Sequence, residues 1–254
     1  INDGTSLSHI QIVIDKTTLA PEAYEAAATV GCSVMVKGKA VIPGGGKEKI
    51  EVSAESVTLL GACDPEQYPI QPKRHTMEYL RTVPHLRVRT NIFNAMLRVR
   101  SILGAAIHEY FQSHNYVYVN TPILTGSDCE GAGEVFRVTT QPWDASYKTA
   151  AEYYNDDFFG RKAGLTVSGQ LEGEVAAMAM GKISTFGPTF RAEYSFTARH
   201  AAEFWQVEPE VAFAELPDII EIAEEMIKFI ISRVMEKCPD ELAFFDKFVQ
   251  KGLI

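Results

Sequence analysis

The 254-residue sequence predicts a mixed α/β protein: a small β domain, then a larger domain whose central antiparallel sheet is flanked by helices. Three observations lead there. Residues 1–63 alternate apolar and polar side chains in short runs, the period of strands. From Asn91 to Asn115 the apolar residues recur at helical spacing. From Thr185 to Phe213, two alternating runs surround a polar island, the pattern of a long hairpin.

In the first part, "HIQIVID", "CSVMVKGKAVI" and "KIEVSAESVTLLG" alternate as strands. "APEAYEAAATV" is predicted as a short helix, and "PGGGKEK" as a hairpin loop. This strand–helix–strand rhythm fits a five-stranded barrel of the oligonucleotide-binding type that lacks its first strands. It also fits a three-stranded sheet with no binding role. "CDPEQYPIQPKRH", with three prolines and little periodicity, is the predicted linker. "TMEYLRTVPHLRVRT" follows as a short helix and a turn. The expected divisions are therefore 1–63, a hinge over 64–90, and 91–254.

The long helix is marked by Ile92, Met96, Val99, Leu103, Ile107, Tyr110 and Phe111. "YVYVNTPILT" then alternates as a strand stopped by Pro122, because proline cannot donate to a ladder. "GSDCEGAGEVFRV" is a Gly-rich loop returning into a strand, and it lacks the order and helix start of a phosphate loop. "QPWDASYKTAAEYYNDDFFGRKAG" is a polar and aromatic excursion without a period. "LTVSGQLEGEVAAMAMGKIS" reads as a short strand, a turn and a helix. Leu216 to Lys237 is a helix with the stripe Ile219, Ile220, Ala223, Ile227, Ile230, Ile231, Val234. Pro217 suits its first turn. Its acids lie N-terminal and its bases C-terminal, as the helix dipole prefers.

Composition narrows the function. Hydrophobic content of 46% and charged content of 22% are those of a globular protein. No apolar run is long enough for a membrane helix. The chain opens on Ile1 in what resembles mid-strand sequence, so targeting is left open. The four cysteines lack metal spacing and are expected as free thiols in a reducing compartment, the cytoplasm. A net charge of −9 argues against indiscriminate nucleic-acid binding, so neither DNA nor a membrane is an expected partner. The charge is uneven, however. Between Lys73 and Arg100 stand seven Lys/Arg against the single acid Glu78. Such a stripe suits an RNA phosphate contact, a solvated face or an ion-pair seam.

The hairpin of 185–213 carries unusual charge for strands. Residues two apart share a face, so Arg191 and Glu193 point one way, and Phe204, Gln206, Glu208 and Glu210 form a second row. If the strands pair, one face offers a cation, several carboxylates and a flat ring. A solvated sheet face with cross-strand ion pairs is one explanation. The aromatic company of Phe190, Trp205 and Phe213 favours a ligand-lined floor instead. An adenine would stack on Phe204, donate its amine to a carboxylate and leave its phosphate to Arg191.

These residues resemble a known family. "TFGPTFRAE", the loop with "RH", and "EFWQVEPEVAF" are similar to motif 2 of the class II aminoacyl-tRNA synthetases, in its asparaginyl form. "EYFQSHNYVYVNTPIL" resembles motif 1, with Pro122 as the family proline. "SDCEGAGEVF", "DFFG…LTVSGQLEGE" and "KRHTMEYLRTVPHLRVRTN" resemble further signatures, so the likeness covers nearly the whole chain. It implies a partial anticodon-binding barrel ahead of a class II catalytic domain. It also implies a homodimer built on the motif 1 segment around Pro122. ATP, asparagine and tRNA(Asn) would be the partners. Arg191 would bind the α-phosphate, Glu193 the adenine amine and Phe204 its ring. Arg199 and His200 would reach the outer phosphates. Glu130, Ser168, Gln170 and Glu208 would line the amino-acid pocket, under a loop closing at 131–133. Left as structural alternatives are Glu210 in an ion pair, Glu174 on a helix surface, and Ser168 as a helix cap.

Two departures stand out. Nothing resembling the third motif, a Gly-rich strand and helix with a second phosphate-binding arginine, precedes Ile254. The resemblance therefore implies an incomplete chain, inactive alone, with Mg2+ ligands in the missing part. And the motif 2 loop carries Tyr194 and Phe196 where the asparaginyl pattern has asparagines. That loop approaches the acceptor end of tRNA.

Overall fold

The computed structural model describes residues 1–15, 17, 24–25, 27–43, 50–131, 134–195, 197 and 199–254, with Glu130 described in its backbone alone. In chain order the first elements are β1 (Gln11–Val13), β2 (Ser33–Val41), β3 (Glu51–Gly61), α1 (Met77–Thr82) and α2 (Asn91–Ser113). Then come β4 (Val117–Tyr118), β5 (Leu124–Thr125), β6 (Arg137–Val138), α3 (Ala150–Asn155), β7 (Ala163–Leu165) and α4 (Gln170–Met180). The last are β8 (Lys182–Phe190), β9 (Glu203–Val211), α5 (Leu216–Lys237) and α6 (Pro239–Phe248). The chain forms two compact units, one of Ile1–Leu103 with Ser232–Ile254, the other of Gly104–Ile231.

In the first unit, β3 is central, with β1 parallel on one side and β2 antiparallel on the other. The described residues form this open three-stranded sheet. Of the predicted helix over 20–30, Tyr24, Glu25 and Ala27 are helical and the Ala28 N–H bonds to the Tyr24 carbonyl at 2.9 Å, with the rest of its first half outside the described residues; the loop of 43–49 lies outside them but for Pro43. The β2–β3 ladder slips at Lys37/Gly38. A Cβ on Gly38 would lie 2.2 Å from the carbonyl oxygen of Ser53, so only glycine allows that approach. α1 starts where Thr76 accepts the Tyr79 N–H at 3.2 Å, and it buries Leu80. Part of the basic stripe has structural work. Arg98 donates to the carbonyls of Gly4 and Thr5, to Asn94, and approaches Glu241. Arg87 lies 4.7 Å from the Phe93 ring centre. Lys73, Arg74 and Arg89 instead line a cleft of about 1470 Å³.

The second unit carries two three-stranded sheets, ordered β4-β8-β9 and β5-β7-β6. Its core gathers Ile107, Tyr110, Phe111 and Tyr116 against Phe186, Val207, Val211, Met226, Phe229 and Ile230. Tyr110 is buried, donates to the Ile222 carbonyl at 3.2 Å, and has its phenol pushed up to about 12 by burial and the charge of Glu225. The face of α5 packed there differs from the predicted stripe. Of that stripe Ile219, Ile220, Ile227 and Ile231 are exposed and Ile230 meets the core, together with Met226 and Phe229, which the stripe did not include. The helix is apolar on more than one side, so periodicity alone could not choose the packed one.

Two further expectations change. The strand expected to stop at Pro122 is only the two residues of β4, and the segment past the proline joins the other sheet as β5. Val119 N–H still bonds to Ser184 in β8 at 2.9 Å, whereas the Ile123 carbonyl accepts from Thr166 beside β7 at 2.8 Å. Pro122 sits between them without a donor. The aperiodic excursion holds a helix, α3, capped by Thr149. Polar side chains tie it down. Tyr147 donates to Gln141 and Asp156, each at 2.7 Å, and Asp157 accepts from the Thr140 backbone and hydroxyl, both at 2.9 Å. The donors on Asp157, led by the Thr140 backbone N–H, hold its carboxyl at about 2.

Candidate active site

The hairpin of β8 and β9 pairs Thr185 with Glu208, Gly187 with Gln206, and Thr189 with Phe204. Cross-strand partners share a face, so these residues make one floor. Arg191 extends it by one step. Its backbone N–H donates to the Ala202 carbonyl at 3.0 Å, and its guanidinium carbon lies 5.3 Å from the Phe204 ring centre. Its Nε is buried and finds no hydrogen-bond partner among the described residues. A buried donor without a partner is costly and marks a site that a ligand can complete.

Arg191 and Glu193 were expected on the strand, but β8 ends at Phe190. The reason is the next amide. Ala192 N–H bonds to the Glu134 carbonyl at 2.9 Å, which takes the chain out of the hairpin. Glu193 is exposed beyond that exit, and so are Arg199 and His200 in the connecting loop. His200 Nδ1 is hydrogen-bonded to the Thr197 hydroxyl. Tyr194 is exposed, and Phe196 lies outside the described residues. Thus the structure brings Arg191 and Phe204 together and leaves Glu193, Arg199 and His200 in solvent.

At the other end, Glu208 is buried and holds a defined network. Ser168 Oγ donates to its carboxylate at 2.9 and 3.1 Å, and Gly169 N–H at 2.9 and 3.2 Å. Ser168 Oγ also accepts the Gln170 N–H at 3.1 Å. Ser168 therefore accepts the first amide of α4, whose N-cap is Gly169, and holds the glutamate at once. Gly169 is required there, since a Cβ would lie 2.7 Å from Thr121 Oγ1. Gln170 turns its amide to Glu174 at 2.9 Å. Glu210 makes no ion pair among the described residues, against the ion-pair alternative. Its carboxyl is pushed up by burial and then by the charges of Glu174 and Glu208.

A cavity of about 40 Å³ lies on this floor, lined among others by Thr121, Thr166, Thr185, Gln206 and Glu208. The threonines escaped the sequence reading. Counting by twos from Phe204, then across to β8, would have found Thr185 and Thr189, but Thr121 and Thr166 come from elsewhere in the chain. Cys129–Gly131 forms a 3₁₀ turn, but the Glu130 side chain and residues 132–133 lie outside the described residues. Pro122 is exposed.

Chemically, the floor offers a guanidinium with a spare donor beside a ring, and a carboxylate held, among the described residues, by neutral donors. The first suits a nucleotide phosphate. The second suits an ammonium or amide.

Residues 76–251 match the family model described as tRNA synthetases class II (D, K and N). The chain is 52% identical over 256 residues to the asparagine–tRNA ligase of Oleidesulfovibrio alaskensis, covering 100% of this chain and 55% of that protein. It is 51% identical to the same-named protein of Clostridium novyi, again over 55% of that relative. Among solved structures it is similar to asparaginyl-tRNA synthetase from Pyrococcus horikoshii complexed with asparaginyl-adenylate, at TM-score 0.75 and 28% identity. That match covers 93% of this chain and 51% of the other. The Entamoeba histolytica enzyme, at 21% identity and TM-score 0.79, shares the fold over 98% of this chain and 53% of its own. The chain thus spans about half the length of the curated relatives it matches. With that match running through the hairpin and the helices around it, the chain belongs to the class II tRNA synthetases of the D, K and N type.

Proposed function

We propose that the protein carrying this chain is an asparagine–tRNA ligase, which joins asparagine to ATP as asparaginyl-adenylate and then transfers it to tRNA(Asn). The observation that carries this is the shared floor of β8 and β9, with Arg191 over Phe204 at one end and Glu208 gripped by Ser168 and Gly169 at the other. Relatives of that name at about half identity over the whole chain support it.

On this reading the asparagine carboxylate attacks the α-phosphorus in line, an acyl–phosphate bond forms, and pyrophosphate leaves with the electrons of the broken bond. No protein nucleophile is required. The chain's part is to hold two anions together and to neutralise charge growing on the phosphoryl oxygens. Arg191 does the second, since its fork matches two oxygens. Phe204 stacks on adenine, with Glu193 accepting from its amine and Arg199 and His200 reaching the outer phosphates once the loop closes over ATP. Ser168, Gln170, Glu208 and Glu130 hold the amino acid. Among the described residues no group of three or more His, Cys, Asp or Glu is placed to hold a metal ion. Mg2+ is proposed to accompany the ATP.

Residues 1–63 are proposed as part of an anticodon-binding barrel, 64–90 as the hinge and 91–254 as catalytic domain. A homodimer around Pro122 and a cytoplasmic location complete the reading. The test is ATP–pyrophosphate exchange by the protein as encoded, with asparagine or aspartate, followed by charging of tRNA(Asn). Exchange driven by asparagine is the expected result. Exchange driven by aspartate alone would make it an aspartyl enzyme, and none with either would make it a binding module.

A further inference from the structure

Between the two ends of the floor lies a pair that neither end uses, Gly187 opposite Gln206. At about 3.4 Å per residue, this pair stands roughly 7 Å from the Glu208 row and as far from the Phe204 row. Strand parity puts Thr185, Gly187 and Thr189 on the floor, and all three line the small cavity with Gln206 and Glu208.

Packing does not explain a glycine at this point. A Cβ on Gly187 meets no atom of the described residues within 4 Å, whereas one on Gly169 or Gly173 would lie 2.7 or 3.2 Å from a neighbouring side chain. The backbone does not explain it either, because Gly187 has no positive φ. It sits in the interior of a nine-residue strand, where glycine weakens the ladder. A strand glycine with empty space above it marks a place where something else comes close.

We propose that Gly187 is a positioning residue for adenylation. Its missing side chain keeps open the strip of floor on which the carboxylate of the amino acid meets the α-phosphate of ATP. This rests on the ligase reading above and deepens it. If the ammonium is anchored at Glu208 and the nucleotide at Phe204 and Arg191, the new bond forms over the row between them. A methyl there lifts the reactants from the floor. A displacement of about 1 Å from in-line geometry is enough to slow such a reaction roughly 100-fold.

The experiment compares the wild-type protein as encoded with Gly187→Ala and Gly187→Val. It measures asparagine-dependent exchange, ATP affinity by calorimetry and melting temperature. We expect the exchange kcat to fall about tenfold in the alanine variant and 100-fold or more in the valine variant. ATP affinity should stay within about twofold, and the melting temperature should hold or rise, because both replacements suit a strand better than glycine. A glycine kept for the fold would give the opposite, a lower melting temperature. Either that fall or a valine variant with unchanged exchange overturns the inference while leaving the ligase reading intact. A wild-type protein without asparagine-dependent exchange overturns the ligase reading, and this inference with it.

Discussion

The two ends of one hairpin floor are built differently. At the amino-acid end Glu208 is buried, and each donor that meets it is itself fixed: Ser168 by the Gln170 amide it accepts, Gly169 by the space it fits. At the nucleotide end Arg191 stacks on Phe204 with its Nε unpartnered, and Glu193, Arg199 and His200 stand in solvent. One end is complete without ligand. The other is left for the ligand to complete. The lesson is that stability and activity should separate along a single strand pair.

Removing Arg191 tests that separation most severely. Arg191→Ala should lower the exchange rate about 1000-fold, as loss of one preorganised charge-stabilising group does. Its melting temperature should hold, because a half-buried cation with an unpaired donor supports little of the fold. A matching fall in stability would erase the contrast. Glu208→Ala should cost the fold as well as activity. It leaves the Ser168 hydroxyl and Gly169 N–H buried without an acceptor, at about 2 kcal/mol in urea unfolding. The milder Glu208→Gln should weaken the preference for asparagine over aspartate, by roughly tenfold in the ratio of kcat/KM values. An unchanged ratio removes Glu208 from selectivity. Phe204→Ala should weaken ATP binding about tenfold through lost stacking, with little change in stability.

The smallest effect concerns Glu210 and is read from pH. Burial, then Glu174 and Glu208, raise its carboxyl above the ordinary 4.5. The native protein then binds that proton more tightly than the unfolded chain. Its contribution to stability is present below pH 4.5 and lost as pH rises through the raised value. Glu210→Gln should therefore raise the melting temperature at neutral pH and leave it unchanged at pH 4. A gain of equal size at both would mean that charge is not the cause.

Much of the fold was legible because it is periodic. The helix from Asn91, the helix from Leu216 and the hairpin of 185–213 all appear close to their predicted limits. The shared face of Arg191 and Phe204 followed from counting by twos, and the stack confirms the pairing. The link between Ser168 and Glu208 was different. It joins residues forty apart in the chain, and only the family resemblance placed both in one pocket. Where the chain changes partner, pattern failed. Pro122 marked the stop within 116–125, but nothing in the alternation showed that the backbone bonds there pass from one sheet to another. In the excursion of 141–164, single polar bonds to Asp157 and Tyr147 do the holding, and these have no period to detect.

The sequence by itself determined the long helices and the long hairpin, which faces alternate, and which family the motifs belong to. These depend on spacing along the chain, and spacing is local. Only the tertiary structure decided that Arg191 lies past the strand end, which side of the Leu216 helix is packed, and that Gly187 has empty space above it. Those depend on which distant backbone group satisfies a given amide and what volume the neighbours leave, and no count along the chain contains either.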